Sequence, residues 1–331
     1  MRLYCTYFDS GYLSRGLALI ASLRATGESA LVFVVAFDEA AYEYLHSRKS
    51  ELGLIVRKSD DLLTRFPELA GVVDNRKYSE LFFTSSPFLL KLALEEVDEG
   101  DVVVYLDADL FFFGNPQAVF DELADGSIGI IRHNYPNSRK RLATKYGTFN
   151  VGLVVFRNDA EGRRVLDWWA ARCIEWCHDF PLDGKYADQG YLDHFPKLSS
   201  QTVILENPGF NLAPWNTSSS TLIAEQQKVS VNDQPLLFFH FHGLSRVGKR
   251  VISAQLTYRS VLHKSVFQPI YVPYVKALTE VEQQLKDQGV VPNQPAKRGV
   301  GLRGFVFAVY KKAMNLLSIA LGQSVLIRKS R

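Results

Sequence analysis

Asp107 and Asp109 are two carboxylates two residues apart, and they directly follow a run of apolar residues, 102–106. Such a run predicts a buried strand, and the ligands of open α/β sheets bind beyond the carboxyl ends of the strands. Hard cations such as Mg²⁺ and Mn²⁺ prefer oxygen ligands, commonly a few carboxylates together with substrate phosphates. The pair therefore predicts a divalent metal site; the alternative is an acidic turn at the end of a strand.

A second group of polar residues follows the apolar run 236–239 and contains His240 and His242. Side chains two residues apart point to the same side of an extended chain, and a neutral imidazole suits Mn²⁺ beside carboxylates. The alternative is a histidine that is satisfied in the core or caps a strand. Arg246, Lys249 and Arg250 lie just downstream, where they would neutralise a diphosphate leaving group or form a solvated basic loop.

The elements that must position these residues alternate between strands and helices. The predicted strands comprise residues 3–7, 31–37, 53–58, 101–109, 126–132, 150–156, 203–205 and 236–242. The predicted helices comprise residues 12–23, 39–52, 87–96, 161–177, 273–288 and 302–321, with an irregular stretch at 60–84 and Pro87 in the first turn of its helix. This order is typical of an α/β fold with a mostly parallel central sheet and helices on both faces. We expect a catalytic domain at 1–270 and a C-terminal helical extension at 271–331.

The charge of the chain is unevenly distributed. The net charge is +3, but no acidic residue follows Asp287, and eight basic residues do: Lys297, Arg298, Arg303, Lys311, Lys312, Arg328, Lys329 and Arg331. The helical stretch at 302–321 is amphipathic, so it predicts either an interfacial helix on an anionic membrane surface or a helix that packs on its own domain or on a partner. Two lysines in its middle argue against a spanning helix. The tail has no nucleic-acid-binding motif, so we expect no nucleic-acid partner.

Composition and cysteine usage favour a globular enzyme of the cytoplasm. Hydrophobic residues make up 47% and charged residues 22% of the 331 residues, which is close to globular averages. The three cysteines, Cys5, Cys173 and Cys177, form no paired framework and lack the further ligands of a zinc site. The first ten residues show no secretory signal. Reduced thiols and a basic tail together predict a cytoplasmic protein, peripheral on the inner face of the membrane.

Four places in the chain resemble the motifs of one enzyme class. They are Thr6-Tyr7-Phe8-Asp9 with Tyr12, residues 105–109, residues 149–153 with 187–192, and His240-Phe241-His242-Gly243. Together they resemble the GT-A-fold glycosyltransferases and are similar to glycosyltransferase family 8 and related bacterial nucleotide-sugar transferases, over about residues 1–250. The resemblance implies a GT-A fold and a hexosyltransferase that uses a nucleotide-diphosphate sugar, with UDP favoured, and Mn²⁺ or Mg²⁺.

The resemblance also implies roles for particular residues. It implies metal ligation by Asp107, Asp109 and His240; nucleotide and phosphate contacts by Thr6, Tyr7, Asp9, Tyr12, Asp107 and Arg246; and sugar contacts by Asn150, Asp188 and Gln189. It implies retention of the anomeric configuration, whereas an inverting enzyme would use Asp188 as the base on the acceptor. The acceptor stays open among a glycan or polysaccharide, a lipid-linked sugar and a protein.

The sequence departs from the family pattern in two places. Arg246 stands where the family often has a lysine, and no arginine precedes the metal strand at 84–91. Residues 207–216 would line the acceptor pocket or form a surface turn with a packed Trp215. Two other functions stay open. A nucleotidyltransferase usually has a glycine-rich basic loop after its first strand, but residues 8–12 contain one glycine. A sugar-binding scaffold of the same fold would have lost catalysis.

Overall fold

The computed structural model describes residues 1–292 and 302–327. Its strands are β1 Arg2–Phe8, β2 Leu31–Ala36, β3 Leu54–Lys58, β4 Val102–Leu106, β5 Leu110–Phe112, β6 Ile128–Arg132, β7 Phe149–Arg157, β8 Thr202–Leu205, β9 Leu222–Glu225, β10 Lys228–Val231, β11 Gln234–Pro235, β12 Phe238–His240, β13 Ser245–Val247, β14 Arg250–Ile252 and β15 Ser324–Leu326. Its α-helices are α1 Leu13–Ala25, α2 Glu39–Ser47, α3 Ser59–Arg65, α4 Pro67–Ala70, α5 Tyr78–Leu94, α6 Gln117–Leu123, α7 Arg141–Tyr146, α8 Ala160–Glu175, α9 Phe195–Leu198, α10 Lys264–Asp287 and α11 Leu302–Ala320.

Seven strands form the central sheet in the order β3-β2-β1-β4-β7-β6-β8. All neighbouring pairs are parallel except those of β7, which runs antiparallel to β4 and to β6. The prediction of an α/β fold with a mostly parallel central sheet is therefore confirmed. Small sheets flank it: β12 pairs with β5, β9–β11 form a meander, and β15 pairs with the β13–β14 hairpin.

Both faces of the central sheet are buried, which explains the continuous apolar runs in its strands. Tyr4 and Val104 belong to one hydrophobic cluster, together with residues of α1 and α2. Leu3 and Val103, one residue earlier on the same strands, belong to the cluster beneath α5 and α8. Alternate side chains of one strand thus enter two separate cores, and the strand that leads to Asp107 is held rigidly from both sides.

The predicted start of the helix at residue 87 was wrong. Helix α5 begins at Tyr78, and Pro87 lies in its interior rather than in its first turn. The helix starts early because the Glu80 carboxylate accepts the Lys77 backbone N–H at 2.9 Å. An interior proline loses one backbone hydrogen bond, but the following Phe88 and Leu89 are fully buried and offset that loss. Residues 59–70, expected to be irregular, form α3 and α4.

The C-terminal segment packs at least partly on the body of the protein. Gln323 is buried, and its amide makes hydrogen bonds with the backbone N–H and C=O of Leu262 at 3.1 and 2.9 Å. Leu316 and Leu317 of α11 remain exposed. Of the eight basic tail residues, Lys297, Arg298, Arg328, Lys329 and Arg331 lie outside the described residues.

Helix α10 starts nine residues earlier than the predicted helix at 273–288, and it packs against α1. The predicted domain boundary at 270/271 falls inside this helix, so the division into two domains stays a prediction. Among the described residues, no helix has both the length and the apolar character needed to cross a membrane.

Candidate active site

The predicted metal ligands come together at the carboxyl end of β4. Strand β12 pairs with β5 so that His240 lies opposite Leu110, and the Phe241 backbone N–H donates to the Asp109 carbonyl at 2.9 Å. This pairing places the His240 Nε2 atom 3.0 Å from Asp109 Oδ1 and 3.6 Å from Asp107 Oδ2. The two aspartates and a histidine more than 130 residues later in the sequence thus share one small volume.

His242 adds a donor that was not among the predicted ligands. Three ligand atoms, one each from Asp109, His240 and His242, lie within 4.8 Å of one another, which is close enough to hold one ion. His240 is buried, whereas His242 is exposed. The spacing of two residues in an extended segment, noted in the sequence, is the signal that indicates its position.

The two carboxylates have different surroundings. Although burial acts in the opposite direction, the His240 ring lowers the pKa of Asp109 well below its usual range. Burial raises the pKa of Asp107, whose Oδ1 accepts a hydrogen bond from the Tyr105 hydroxyl at 2.7 Å. Burial also opposes protonation of His240, but the Asp109 carboxylate outweighs it and raises the pKa of the ring. Asp109 is therefore the carboxylate that stays charged.

Gly152 of β7 binds the backbone of Asp107 and packs against the ring of His240. Its carbonyl accepts the Asp107 backbone N–H at 2.9 Å, and its own N–H donates to Asn150 Oδ1 at 3.1 Å. A β-carbon at this position would lie 2.5 Å from Asn150 Oδ1 and 2.9 Å from His240 Nδ1. That Nδ1 atom is buried and has no hydrogen-bond partner in the described part of the chain. The close packing of His240 against Gly152 directs Nε2 at the carboxylates.

The donor atoms of this cluster fit a divalent cation. Carboxylate oxygens and imidazole nitrogens are the ligands that Mn²⁺ accepts, and Mg²⁺ accepts the carboxylates. Asp109 supplies a negative charge, and a cation beside Asp107 would offset the burial that raises the pKa of that carboxyl group. Asp107, Asp109 and His240, with His242 at the exposed side, are the residues that would hold the ion.

Asn150, Asp188 and Gln189 lie together beside the metal cluster. The Asn150 amide donates to Gln189 Oε1 at 3.0 Å, and the Gln189 amide donates to the Tyr146 carbonyl at 2.6 Å. Asp188 is buried, and burial raises its pKa to about 7. Ala187, just before it, has a φ of 46°, in the left-handed region that alanine rarely adopts. The strained turn and the buried carboxyl group are typical of a functional site.

The predicted nucleotide-binding residues lie at and just beyond the carboxyl end of β1. Thr6 is buried. The Tyr7 ring packs against Phe37, and its hydroxyl shares a hydrogen bond with Ser86 at 2.9 Å. Asp9 accepts the backbone N–H of Tyr12 at 3.1 Å, and the Tyr12 ring is 45% exposed. Of these residues, Tyr12 presents the most accessible aromatic surface.

Arg246 is engaged elsewhere. It lies on β13, exposed, and forms an ion pair with Glu282 of helix α10. Its neighbour Arg250 donates to the Ser324 hydroxyl at 3.2 Å. The phosphate contact predicted for Arg246 therefore requires that its guanidinium leave Glu282, and the role stays a prediction.

Trp215 lies in a turn at residues 214–216, and its side chain is buried against the metal histidines. Its ring centre lies 5.0 Å from that of His240 and 5.7 Å from that of His242. Its indole N–H donates to the His133 carbonyl at 3.0 Å, and the His133 ring is also buried beside it. His133 was not among the predicted site residues, since a single histidine at the end of a strand carries no signal of its own.

Comparison with known proteins gives the family and the fold. No protein-family model matches the chain. The uncharacterized protein YfnF of Bacillus subtilis (strain 168) is 31% identical over 250 residues, which cover 72% of this chain and 80% of YfnF. The uncharacterized protein YfnD of the same strain is 25% identical over 87% of this chain and 94% of its own length.

Among solved structures, the chain is similar to the galactosyltransferase LgtC in complex with donor and acceptor sugar analogues. The TM-score is 0.53 at 14% identity, and the match covers 87% of this chain and all of LgtC. This likeness confirms the predicted fold, and the narrower similarity to glycosyltransferase family 8 stays a prediction. The chain belongs to the same protein family as YfnF, and it has the GT-A glycosyltransferase fold.

Proposed function

We propose that the protein transfers a sugar from a nucleotide-diphosphate sugar, with UDP as the favoured nucleotide, in the presence of Mn²⁺ or Mg²⁺. The observation that carries this proposal is the convergence of Asp107, Asp109 and His240 at the carboxyl end of β4, with 3.0 and 3.6 Å between the imidazole and the two carboxylates. A GT-A fold with such a cluster at this edge has the ligands to hold a metal ion and a diphosphate together.

The residues of the cluster would anchor the donor by its phosphates. A bound divalent cation neutralises the charge that builds up on a departing nucleotide diphosphate. Asp109 and His240 would be the direct ligands, Asp107 would complete the site or face the ribose, and His242 would add a ligand from the exposed side. Thr6, Tyr7, Asp9 and Tyr12 would hold the nucleoside at the end of β1, which neighbours β4 in the sheet.

The sugar would lie against Asn150, Asp188 and Gln189. Hydrogen bonds fix both amide groups, Asn150 through Gln189 and Gly152, and Gln189 through Asn150 and Tyr146, so their unused N–H bonds and lone pairs have fixed directions for sugar hydroxyls. We propose that the anomeric configuration is retained, as the family resemblance implies. Asp188, with a pKa of about 7, has the proton affinity of a general base, which an inverting reaction would require. The NMR spectrum of the product decides between the two, since each outcome has its own anomeric coupling constant.

The exposed face of helix α11 supports a membrane-surface location and a lipid-linked acceptor. Tyr310, Leu316 and Leu317 are exposed, beside the exposed Lys311 and Lys312. Apolar side chains flanked by lysines bind the headgroup region of anionic bilayers. Replacing both leucines with serine should abolish flotation with vesicles that contain phosphatidylglycerol, without unfolding the protein. Unchanged flotation would remove α11 from this role.

A donor screen tests the proposed activity. The purified protein is incubated with Mn²⁺ and a panel of UDP-, GDP-, dTDP- and CMP-sugars, and release of the nucleotide is measured. We expect release from at least one nucleotide-diphosphate sugar, its loss in EDTA, and its loss in Asp109→Asn. Asp60→Asn, an exposed carboxylate on α3, is the matched control and should keep full activity.

The alternatives give different results in the same screen. A nucleotidyltransferase would form pyrophosphate from a nucleoside triphosphate and a sugar phosphate. A scaffold would bind a nucleotide sugar without releasing the nucleotide. Full activity in EDTA, or a folded protein that turns over no donor in the panel, would refute the proposal.

A further inference from the structure

The segment that connects β6 to β7 is strongly basic. No acidic residue occurs between Asp125 and Asp159. Within this stretch, residues 137–146, here named the basic segment, contain four cationic side chains: Arg139, Lys140, Arg141 and Lys145. In the described residues, none of the four forms an ion pair with a carboxylate. A positive surface without internal counter-charges attracts an anion.

The basic segment is attached at both ends to residues of the candidate active site. At its C-terminal end, the Tyr146 carbonyl accepts the Gln189 amide at 2.6 Å. Just before its N-terminal end, the His133 carbonyl accepts the Trp215 indole N–H at 3.0 Å. The Asn134 carbonyl also accepts the Ser219 hydroxyl at 3.0 Å. The segment is therefore held over the site rather than projecting into solvent at a distance from it.

Aromatic rings connect the basic segment to the metal cluster. The guanidinium of Arg139 lies 5.7 Å from the centre of the Tyr258 ring. The Tyr258 ring is in turn 6.1 Å from both Trp215 and His242. Arg139 is thus separated from a candidate metal ligand by a single aromatic ring. The rings of Tyr258 and Trp215 are here named the aromatic wall. Aromatic faces bind the apolar faces of sugar rings, and the Arg139 cation at the end of this wall would meet a charged substituent.

The order of strands places this wall on the side away from the nucleotide. Strand β4, which carries the aspartates, lies between β1 on one side and β7 on the other, with β6 beyond β7. The predicted nucleoside site is at the end of β1, and the basic segment joins β6 to β7. The donor nucleotide and the basic segment therefore flank the metal cluster from opposite sides, which leaves the basic segment for the acceptor.

We infer that the acceptor is an acidic glycan, whose carboxylate or phosphate group is bound by the basic segment while its sugar ring lies against the half-buried Tyr258. This inference rests on the proposed function, because it assigns the acceptor of the same site. Its physical basis is the pairing of an uncompensated cationic segment with an aromatic wall that leads to the metal cluster.

Binding of matched glycosides tests the inference without requiring turnover. Methyl β-D-glucuronide is compared with methyl β-D-glucoside, and glucose 6-phosphate with glucose, by NMR titration in the presence of UDP and Mg²⁺. The members of each pair differ only in the acidic group. We expect the acidic member of at least one pair to bind about tenfold more tightly, which corresponds to about 1.4 kcal/mol. The pair that shows the difference identifies a carboxylate or a phosphate as the recognised group, and the difference should shrink in 0.5 M NaCl.

Two variants of equal charge localise the effect. In the first, Arg139, Lys140, Arg141 and Lys145 are all replaced with glutamine. In the control, four exposed lysines elsewhere are replaced with glutamine: Lys49, Lys197, Lys228 and Lys264. We expect the first variant to lose the preference for the acidic glycoside and to keep the wild-type affinity for UDP. The control should keep both.

Three results would overturn the inference. The first is equal binding, or no binding, of the acidic and neutral members of both pairs. The second is a loss of UDP affinity in the first variant as large as its loss of glycoside affinity, which would assign the segment to the donor. The third is unchanged glycoside binding with lost binding to phosphatidylglycerol vesicles, which would assign it to a membrane. A failed donor screen alone would refute the proposed activity and leave these binding results intact.

Discussion

Replacing Gly152 with alanine should weaken metal binding while the fold stays intact. The new β-carbon would lie 2.9 Å from His240 Nδ1 and 2.5 Å from Asn150 Oδ1, both shorter than real β-carbon contacts. Gly152 does not have a positive φ, so the backbone tolerates alanine and the whole effect is steric. The neighbours must therefore move. His240 is the critical one, because its other ring nitrogen faces Asp109.

The size of the displacement sets the size of the effect. Ordinary contact begins at 3.4 Å, so the imidazole must retreat by about 0.5 Å. Metal–ligand distances tolerate only about 0.2 Å, and Trp215 packs against the ring on another side and limits its escape. We expect Mn²⁺ affinity to fall about 10- to 100-fold, the range found when groups that orient a ligand are altered. Overpacking should cost about 1–3 kcal/mol of stability.

Calorimetric titration with Mn²⁺ and thermal unfolding measure the two effects separately. Gly71→Ala is the matched control, since its nearest neighbours would be 3.6 Å away and its φ is −65°. The control should bind Mn²⁺ like the wild type. If Gly152→Ala also binds Mn²⁺ within twofold of the wild type, then His240 is not a ligand held in place by this glycine, and the proposed metal site is wrong.

Three further predictions follow from charges at the site. Burial raises the pKa of Asp188 to about 7. Between about pH 4 and 7 the folded protein therefore holds a proton on this carboxyl group that the unfolded chain has released. The free energy of unfolding should fall as the pH rises through this range, by up to about 4 kcal/mol. Denaturation curves of Asp188→Asn should lack this slope, and equal slopes in both proteins would contradict it. Glu282→Gln should free Arg246, raising UDP affinity a few-fold at low salt while changing stability by less than about 1 kcal/mol; unchanged affinity would show that Arg246 does not reach the nucleotide. In the metal-free protein at pH 7, Asp109→Asn should be destabilising by about 1–3 kcal/mol because His240 loses its partner. Asp107→Asn should cost less, because burial already disfavours the charged form of Asp107, and the opposite order in denaturation curves would reverse this assignment.

The sequence was sufficient for the fold class because the signals involved are local. The apolar run 102–106 with polar residues at its end is recognisable without any tertiary information. Strand β4 comprises that run and ends three residues before the end of the predicted strand 101–109. The start of helix α5 was predicted wrongly because the prediction used the local preference of Pro87 alone. Proline is most frequent in the first turn of a helix, and the interior position here depends on burial of Phe88 and Leu89 in a core that forms only in the folded chain.

Arg246 shows a second limit, which concerns exposed charges. The sequence places it beside the histidine motif, so a phosphate contact is a reasonable hypothesis. Its partner in the structure is Glu282, which lies on a helix 36 residues further along the chain. An exposed arginine can pair with any carboxylate within reach, and neighbours in sequence do not determine which one it meets.

The metal cluster itself depends on three backbone hydrogen bonds that no local pattern predicts. The Asp107 N–H is bound by the carbonyl of Gly152, the Asp109 carbonyl by the N–H of Phe241, and the His240 N–H by the carbonyl of Leu212. Each joins one ligand residue to a different segment; one of them involves β12, a strand of only three residues, and another involves Phe241, the residue that follows it. The sequence therefore predicts which residue types bind the metal, whereas the distances between their ligand atoms depend on strand pairing. Because the first of these bonds connects Asp107 to β7, which also carries Asn150, a shift of Asp107 must displace the sugar-binding side as well.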